Sequence, residues 1–393
     1  LSFDITPESG PGQMDGAVQV NVVGGSGAYG YLWSTGSTAS FITNLSNGEY
    51  CVTVTDLNTD CQQVGCADVP VIAISNLGIA GDALTEIGQP IKDVNVRLFG
   101  PPNDSTLTPS DGTFAFVNLP MGNDWEVSPL KDINDKNGVT TFDLVLISQH
   151  ILQVFLLDSP YKMIAADANA DDKISTLDIL DLRLLILQIV DKLPNNTSWR
   201  FLDADYKFPN PDSPFIEPFP ETIEYTNLTQ SVNDADFIGV KIGDVDLSAD
   251  PQTLTGNGGS QTRGEAIHFR TRDQALQAGE IVEVPIRATD FQDLLGYQFT
   301  IDFNPGYLEL QEVTPGEFEG VQPEHFGYRY LEQGMITTNW FSPLPTGLED
   351  DTELFTLRFR VLRSDDKSLR EVLRFSSGRL SSEAYVAGES LPR

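Results

Sequence analysis

Two acidic segments of the chain repeat each other at an offset of 35 residues. The first reads DINDKNGVTTFDLVLISQHILQ from Asp132, and the second reads DANADDKISTLDILDLRLLILQ from Asp167. A repeat this dense indicates a duplicated structural unit. Each copy opens with a twelve-residue stretch rich in oxygen-bearing side chains at alternate positions. This spacing is typical of loops that coordinate Ca²⁺ through six to eight oxygen ligands.

The second loop matches the calcium spacing closely. Positions 1, 3, 5, 7, 9 and 12 are held by Asp167, Asn169, Asp171, the carbonyl of Lys173, Ser175 (through a water) and Asp178. Ile174 fills position 8, where such loops bury an apolar residue. Asp172 stands at position 6, where glycine usually provides the left-handed turn. A solvated acidic turn is the alternative, but it explains neither Ile174 nor the duplication.

The first loop departs further from the spacing. Its corresponding residues are Asp132, Asn134, Lys136, Thr140 and Asp143. Lys136 stands at position 5, where a carboxylate is expected, so either its carbonyl substitutes, or Asp135 swings in, or the loop binds weakly. Asn137 at position 6 suits a left-handed turn. Together the two loops predict two bound Ca²⁺ ions.

An apolar helix is predicted after each loop, from Phe142 to about Leu156 and from Leu177 to about Val190. An EF-hand would place a helix before each loop as well and would end the loop in Glu. Here both loops end in Asp, and the first is entered from the strand-like run Trp125-Glu126-Val127. The loop–helix duplicate resembles a type I dockerin over about 62 residues.

This resemblance implies that positions 10 and 11 of each loop take part in recognising a cohesin. The corresponding residues are Thr141 and Phe142 in the first loop, and Thr176 and Leu177 in the second. These pairs differ from the best-known dockerin pairs, so the identity of a partner is not implied.

The segments before the loops are predicted to form two small sandwiches. Residues 1–72 hold short alternating runs separated by glycine-rich turns, which is typical of an Ig-like sandwich. The string GGSGAYGYLWSTGSTASFITNLSNGEYCVTVTD resembles the SprB-type repeat of Bacteroidetes surface proteins. Residues 73–131, with an Asp111-Gly112 turn feeding a hairpin, resemble the prealbumin-like or carboxypeptidase-regulatory-like sandwich.

The segment after the second helix is predicted to be irregular. It is similar to a tail appended to dockerin-like modules, so residues 132–250 are assigned to one calcium-binding unit, with aromatic anchors packing its helices. The anchors are Trp199, Phe201, Phe208 and Phe215. Its paired aspartates are interpreted as turn residues, with a further cation site as the alternative. These are Asp203, Asp205, Asp234, Asp236, Asp244 and Asp246.

A linker is predicted over residues 251–265, where Gly256, Gly258, Gly259 and Ser260 are concentrated. Strand-like runs resume over residues 266–393. The strings GEIVEVPIRATDFQDLLGYQFTIDFNP, LFTLRFRVL and RLSSEAYVAGE resemble a cohesin-type sandwich. The predicted fold is therefore mainly β, with tandem Ig-like β-sandwiches and one small α-helical, calcium-binding, dockerin-like module.

Composition excludes two classes of partner. With 57 acidic and 24 basic residues, the formal net charge is −33, which repels nucleic acid and anionic lipid. No apolar run reaches the roughly 20 residues that span a bilayer, so direct membrane insertion is not expected. The three cysteines cluster at Cys51, Cys61 and Cys66, and a hairpin around them sets Cys51 opposite Cys66, a geometry that a disulfide could bridge. An acidic, β-rich chain with clustered cysteines favours an extracellular or cell-surface location.

Catalysis is not expected, because no nucleophile elbow, P-loop or dinucleotide fingerprint occurs in the sequence. Two functions remain. The first is a calcium-stabilised structural or adhesive surface protein that self-associates head to tail into a filament or binds other surface proteins. The alternative is a non-catalytic scaffold module that captures a carbohydrate or docks a cohesin or dockerin partner. An exposed aromatic platform would favour the alternative, and Trp340 with Phe341 is the obvious candidate pair.

Overall fold

The computed structural model of the chain describes residues 1–10, 12–71, 77–253, 267–363 and 365–387. The fold is mainly β, as predicted, with sandwiches and a small group of helices. The predicted linker over 251–265 lies outside the described residues, except for its first three positions. Among the residues that the structure describes, no helix is long and apolar enough to cross a membrane.

The N-terminal sandwich consists of two three-stranded antiparallel sheets, β1-β2-β4 and β3-β5-β6. Its strands are β1 Ser2–Thr6, β2 Gly16–Asn21, β3 Tyr29–Trp33, β4 Phe41–Leu45, β5 Gly48–Asp56 and β6 Gln62–Val69. Val18, Trp33 and Val52 face inwards and are buried between the sheets. The register of β5 against β6 pairs Cys51 with Cys66, and the two cysteines form a disulfide, while Cys61 is an exposed free thiol.

Removing this disulfide should destabilise the N-terminal sandwich. The bond closes a sequence separation of 15 residues, and closing a loop of that size stabilises a fold by about 3 kcal/mol. We expect Cys51→Ala with Cys66→Ala to lower the free energy of unfolding of this sandwich by about that amount in a denaturant titration. Cys61→Ala is the control and should change little. Equal stability of all three proteins would contradict the prediction.

The second sandwich includes strands from both sides of the helices. Its sheets have the orders β10-β7-β14-β12 and β13-β11-β8-β9. The strands are β7 Leu77–Thr85, β8 Asn95–Phe99, β9 Asp104–Leu107, β10 Thr113–Leu119, β11 Trp125–Leu130, β12 Trp199–Asp203, β13 Ile223–Tyr225 and β14 Phe237–Lys241. Strand β14 pairs in parallel with β7, far upstream in the chain.

The structure differs here from the predicted division at residue 132. Trp199, Phe201 and Phe237 are buried in the core of the second sandwich, together with Ile79 and Phe116. Phe208 and Phe215, by contrast, pack against the helices as expected. The predicted tail therefore completes the preceding sandwich, because its inward-facing aromatic residues fill that sandwich's core.

The helical unit, residues 132–193, is inserted between β11 and β12. Its helices are α1 Thr141–Ile151, α2 Pro160–Ala166 and α3 Thr176–Ile186. Two capping boxes start α1 and α3, formed by Thr140 with Asp143 and by Ser175 with Asp178. The helices share a core that includes Leu144, Leu182 and other apolar residues.

The C-terminal sandwich follows, with sheets β15-β16-β21-β18 and β19-β20-β17-β22, and β23 also pairs with β17. Its strands are β15 His268–Arg270, β16 Ile281–Thr289, β17 Leu294–Phe303, β18 Leu308–Pro315, β19 Phe326–Gly327, β20 Met335–Thr346, β21 Thr352–Val361, β22 Leu373–Ser376 and β23 Glu383–Val386. Short 3₁₀ turns lie at Pro214–Ile216, Pro323–His325, Leu331–Gln333 and Leu369–Glu371. We call the β19-β20-β17-β22 sheet, with β23, the docking sheet, because α1 packs against its strands β17 and β20.

Candidate metal centre and docking interface

The second acidic loop folds around its own carboxylates. Asp167 accepts hydrogen bonds from the backbone N–H groups of Asp171 (3.1 Å) and Asp172 (3.0 Å). Asp178 accepts from the N–H groups of Asn169 (3.2 Å) and Ser175 (2.8 Å). Asp172 has a φ of 61°, so the chain makes the left-handed turn at position 6 without glycine. The carboxylates of both the first and the last residue of the loop are therefore hydrogen-bonded to backbone N–H groups within the loop.

Burial and neighbouring charge act on these two carboxylates together. Both Asp167 and Asp178 are fully buried. Desolvation, with a smaller effect of the charges on Asp178 and Asp171, raises the pKa of Asp167 to about 6, although the hydrogen bonds from two backbone N–H groups act to lower it. Desolvation also raises the pKa of Asp178. A divalent cation bound by these hard oxygen donors would relieve the repulsion, so this donor set fits Ca²⁺. Lys173 is exposed, and Ser175 is occupied as the cap of α3.

The first acidic loop is arranged differently. Asp143 lies with Asp244 and Asp246, and one carboxylate oxygen from each falls within 4.8 Å of the others. Asp143 and Asp244 are almost completely buried. Desolvation first, and then the other carboxylates of the cluster, raise the pKa values of Asp143 and Asp244 well above the usual range. Nearby, Lys241 donates to the carbonyls of Asp135 (2.6 Å) and Ile242 (2.9 Å).

The other predicted donors of the first loop face elsewhere. Asp132 accepts from the N–H of Ser198 (3.0 Å) and forms an ion pair with Lys192 (2.9 Å). Desolvation lowers the pKa of Lys136 to about 8, with Arg379 and Asp191 as its charged neighbours. Thr140 caps α1.

Asp135, one of the alternative donors for this loop, is buried, and its carboxylate accepts from the N–H of Leu193 (3.0 Å). The expected left-handed residue of the loop differs from the structure. The left-handed residues are Asn134 (φ 55°) and Gly138 (φ 76°) instead of Asn137. Asn137 instead braces Asp250, donating to its carbonyl (2.8 Å) and accepting from its N–H (3.1 Å). The loop is thereby tied to residues that lie more than 100 positions downstream.

The sequence carried a signal for the Asp244 cluster. Asp244, Asp246, Ser248 and Asp250 alternate as Asp-x-Asp-x-Ser-x-Asp, the same period as the start of a calcium loop. Asp244 and Asp246 are also turn residues, as expected, since both accept from the N–H of Ser248 (2.9 and 3.0 Å). Asp203 serves a turn in the same way, accepting from the N–H of Asp205 (2.9 Å).

The helical unit is docked on the C-terminal sandwich by hydrogen bonds from the start of α1 and from the end of α3. At the start of α1, the N–H of Thr141 donates to Oε1 of Gln298 (2.8 Å). At the end of α3, the carbonyl of Leu187 accepts from Oγ1 of Thr337 (2.7 Å). Gln188 donates to the carbonyl of Arg379 (2.6 Å). Polar groups at the helix ends are therefore satisfied by the docking sheet and by the segment between β22 and β23.

Charged and aromatic contacts surround these hydrogen bonds. Arg329 forms a bidentate pair with Asp191, at 2.7 and 2.6 Å. The guanidinium of Arg183 lies over the ring of Phe341, 5.1 Å from its centroid. Phe142 stacks on Tyr385 with centroids 5.1 Å apart. Glycines allow the close approach, since a Cβ at Gly327 would lie 2.5 Å from the carbonyl oxygen of Leu187.

The expected aromatic platform is not on the surface. Trp340 is buried in the sandwich core, where its ring stacks on Tyr297 with centroids 5.8 Å apart. Phe341 lies at the docking interface beneath Arg183. Because Trp340 is buried and Phe341 is partly covered, the two rings do not form an exposed platform for a sugar ring.

Residues 270–387 match the family model of the cohesin domain. The match covers the C-terminal sandwich, which is therefore a cohesin-like module. Solved structures similar to the chain include the solution structure of CaCohA2 from Clostridium acetobutylicum, with 15% identity over 32% of this chain and 83% of that chain, and a TM-score of 0.26. The Coh-OlpA–Doc918 complex, a type I cohesin–dockerin complex from Clostridium thermocellum, shows 16% identity over 31% of this chain and 99% of that chain, with a TM-score of 0.22. No curated protein matches the chain.

The stability of the cohesin-like sandwich should depend on pH through His325. This side chain is buried, its Nδ1 accepts the N–H of Gln322 (2.9 Å), and desolvation, assisted by Arg183, lowers its pKa from 6.5 to about 4. The folded state therefore binds fewer protons than the unfolded state between these values. The stability that the sandwich has with His325 buried in its neutral form is fully present above pH 6.5. It is lost as the pH falls from 6.5 to about 4, because the unfolded state then binds a proton that the folded state does not.

Because of His325, we expect the free energy of unfolding at about pH 4.5 to be lower than at about pH 7 by roughly 2 to 3 kcal/mol. His325→Gln removes the titrating group, so denaturant titrations at the two pH values should show a smaller loss in the variant. An identical loss in the wild type and in the variant would contradict the prediction. Glu324, the carboxylate that counteracts the effect of Arg183, stays in place in both proteins.

Proposed function

We propose that the chain is a non-catalytic, calcium-stabilised scaffold protein of the extracellular surface. The observation that carries this proposal is the docking of a helical unit with buried acidic loops on a cohesin-like sheet of the same chain. Such a contact makes one stiff body from modules that a linker would otherwise leave independent. Modules that are held rigidly against each other suit a protein that acts as an extended spacer or positions other proteins.

In this proposal the helical unit is dockerin-like and acts towards its own cohesin-like sandwich as a dockerin would. The resemblance of its repeated loops and helices supports this interpretation. So does the use of Thr141 and Phe142, positions 10 and 11 of the first loop, as contacts to the docking sheet. The Coh-OlpA–Doc918 structure is named as a cohesin–dockerin complex of two partners. In the present chain the contact between the helical unit and the cohesin-like sandwich lies within one chain.

We further propose two calcium ions. One ion would be held by the second loop, through Asp167, Asn169, Asp171, Asp178 and the carbonyl of Lys173. The other ion would be held by Asp143 with Asp244 and Asp246, and this donor set replaces the one predicted for the first loop. A bound ion would supply positive charge among buried carboxylates, and the chain would supply the fixed geometry.

The extracellular location is part of the proposal. The Cys51–Cys66 disulfide supports it, since such bonds persist in oxidising compartments. The SprB-like and carboxypeptidase-regulatory-like resemblances of the first two sandwiches, and the Bacteroidetes type, accord with a surface protein. Between the two functions considered, the structural one is favoured over sugar binding, because Trp340 is buried and Phe341 is covered by Arg183.

Counting bound calcium tests this proposal. We expect equilibrium dialysis of the full chain to give two tightly bound ions per chain. Asp171→Ala, at an exposed ligand of the second loop, should remove one ion, and Asp246→Ala should remove the other. Asp205→Ala, at an exposed turn residue, is the matched control and should retain both. A chain that binds no calcium, or variants that bind as the wild type does, would overturn the metal assignment.

A further inference from the structure

A buried lysine lies beside the acidic cluster of Asp143, Asp244 and Asp246. Lys241 is the last residue of β14, and only 4% of its surface is exposed. Moving an ammonium ion from water into a protein interior is strongly unfavourable unless nearby dipoles and charges compensate for the lost hydration. The surroundings of Lys241 must therefore provide that compensation.

Backbone carbonyls and acidic side chains both act on the ammonium of Lys241. Its Nζ donates to the carbonyl oxygens of Asp135 (2.6 Å) and Ile242 (2.9 Å). Desolvation lowers the pKa of Lys241 to about 8, against the opposing charges of Asp244, Asp135 and Asp143. The amine is therefore charged at neutral pH. Its hydrogen bonds go to carbonyls, so its charge acts on these carboxylates through space.

A tight turn fixes Lys241 relative to the acidic cluster. The N–H of Asp244 donates to the carbonyl of Lys241 (3.2 Å) and closes the turn. Gly243 within it has a φ of 87°, and a Cβ at this position would lie 2.6 Å from a side chain of α3. The next N–H, that of Val245, donates to Oδ1 of Asp143 (2.8 Å). The turn therefore holds the ammonium and two of the three carboxylates in one fixed group.

We propose that Lys241 is a built-in cation of the cluster, which partly neutralises its carboxylates and thereby lowers the affinity of the cluster for calcium. A fixed positive charge stabilises the calcium-free cluster and repels an arriving Ca²⁺ ion. The second loop differs, because the side chain of Lys173 within it is exposed. The cluster joins the first loop to the segment after β14, so Lys241 would hold this junction together when calcium is scarce. This inference rests on the calcium sites proposed above.

Lys241→Gln in the full chain tests the proposal, because glutamine can still donate hydrogen bonds but carries no charge. We expect calcium titrations against a competing chelator to show one of the two ions bound about 10-fold more tightly than in the wild type. In EGTA the variant should melt at a lower temperature than the wild type, since the carboxylates lose a compensating charge. Calcium should therefore raise the melting temperature of the variant by roughly 3 °C more than that of the wild type.

Three further variants identify the cause of these changes. Lys207→Gln makes the same chemical change at an exposed position and should match the wild type in both measurements. Asp246→Ala, added to Lys241→Gln, should abolish the gain in affinity, because the affected ion is then lost. If Lys241→Gln does not fold in EGTA, adding Asp246→Asn removes one charge of each sign, and this double variant should fold without calcium.

A purely structural role of Lys241 would give a different result. Lys241→Gln would then lower the melting temperature by the same amount in EGTA and in calcium, and the calcium affinity would not change. That result would overturn the proposal, as would an equal gain in affinity for both ions or a double variant with Asp246→Asn that stays unfolded in EGTA. Failure of the calcium assignment would appear separately, as a wild-type chain that binds no calcium in dialysis.

Discussion

Chelating calcium should lower the stability of the helical unit more than any single substitution at its surface. A ligand that binds only the folded state contributes about 4 kcal/mol per site when its free concentration is about a thousandfold above Kd. For a body of this size the loss of that amount corresponds to a melting temperature lower by roughly 10 °C. The effect is expected because each proposed site contains buried carboxylates that repel each other without a cation. These are Asp167 and Asp178 at one site, and Asp143 and Asp244 at the other. Scanning calorimetry in millimolar calcium and in excess EGTA measures it.

The variant Asp171→Ala separates calcium binding from folding. Its carboxylate is exposed, so its removal should leave the melting temperature in EGTA unchanged. In calcium the variant should gain less stability than the wild type, because one ligand of the second loop is missing. Asp205→Ala should respond as the wild type does. If chelation leaves the melting temperature unchanged, or if Asp171→Ala responds fully to calcium, the buried aspartates are not calcium ligands.

Leu187→Glu should release the helical unit from the cohesin-like sandwich. The side chain is fully buried beside Gly327, and its carbonyl accepts the hydrogen bond of Thr337. Burying an unpaired carboxylate there costs on the order of 3 to 5 kcal/mol, which is enough to reverse a docking equilibrium between modules of one chain. Small-angle scattering should therefore show a larger radius of gyration.

The repeat provides a matched control for this release. Leu152→Glu makes the same chemical change at the equivalent position, where the side chain is 58% exposed. We expect its radius of gyration to equal that of the wild type. Equal radii of gyration for the wild type, Leu187→Glu and Leu152→Glu would mean that the contact around Leu187 does not hold the modules together.

The parts of the site that could be predicted from the sequence are local. The second loop lies within twelve residues, so the alternation from Asp167 to Asp178 contains its geometry. The starts of α1 and α3 can also be predicted from the sequence, because each has a capping box at fixed spacing. The boxes are Thr140 with Asp143 and Ser175 with Asp178. In both loops the last aspartate is also the residue that caps the following helix.

The parts that could not be predicted depend on contacts between distant residues. Asp143 meets Asp244 across about 100 residues, and spacing within a loop carries no information about such a contact. Strand β14 joins β7 in parallel after an intervening helical unit, and its five residues are too few to distinguish a strand from an irregular anchor. Docking of α1 on β17 and β20 likewise depends on the shape of two finished surfaces.

Sedimentation velocity of the full chain at low concentration, in millimolar calcium and again after chelation, tests the central claim most directly. The claim is that calcium holds the helical unit in the form that docks on the cohesin-like sandwich. It predicts a compact monomer in calcium, and a smaller sedimentation coefficient with a larger frictional ratio after chelation. An unchanged sedimentation coefficient, in protein shown by dialysis to have lost its calcium, would contradict it.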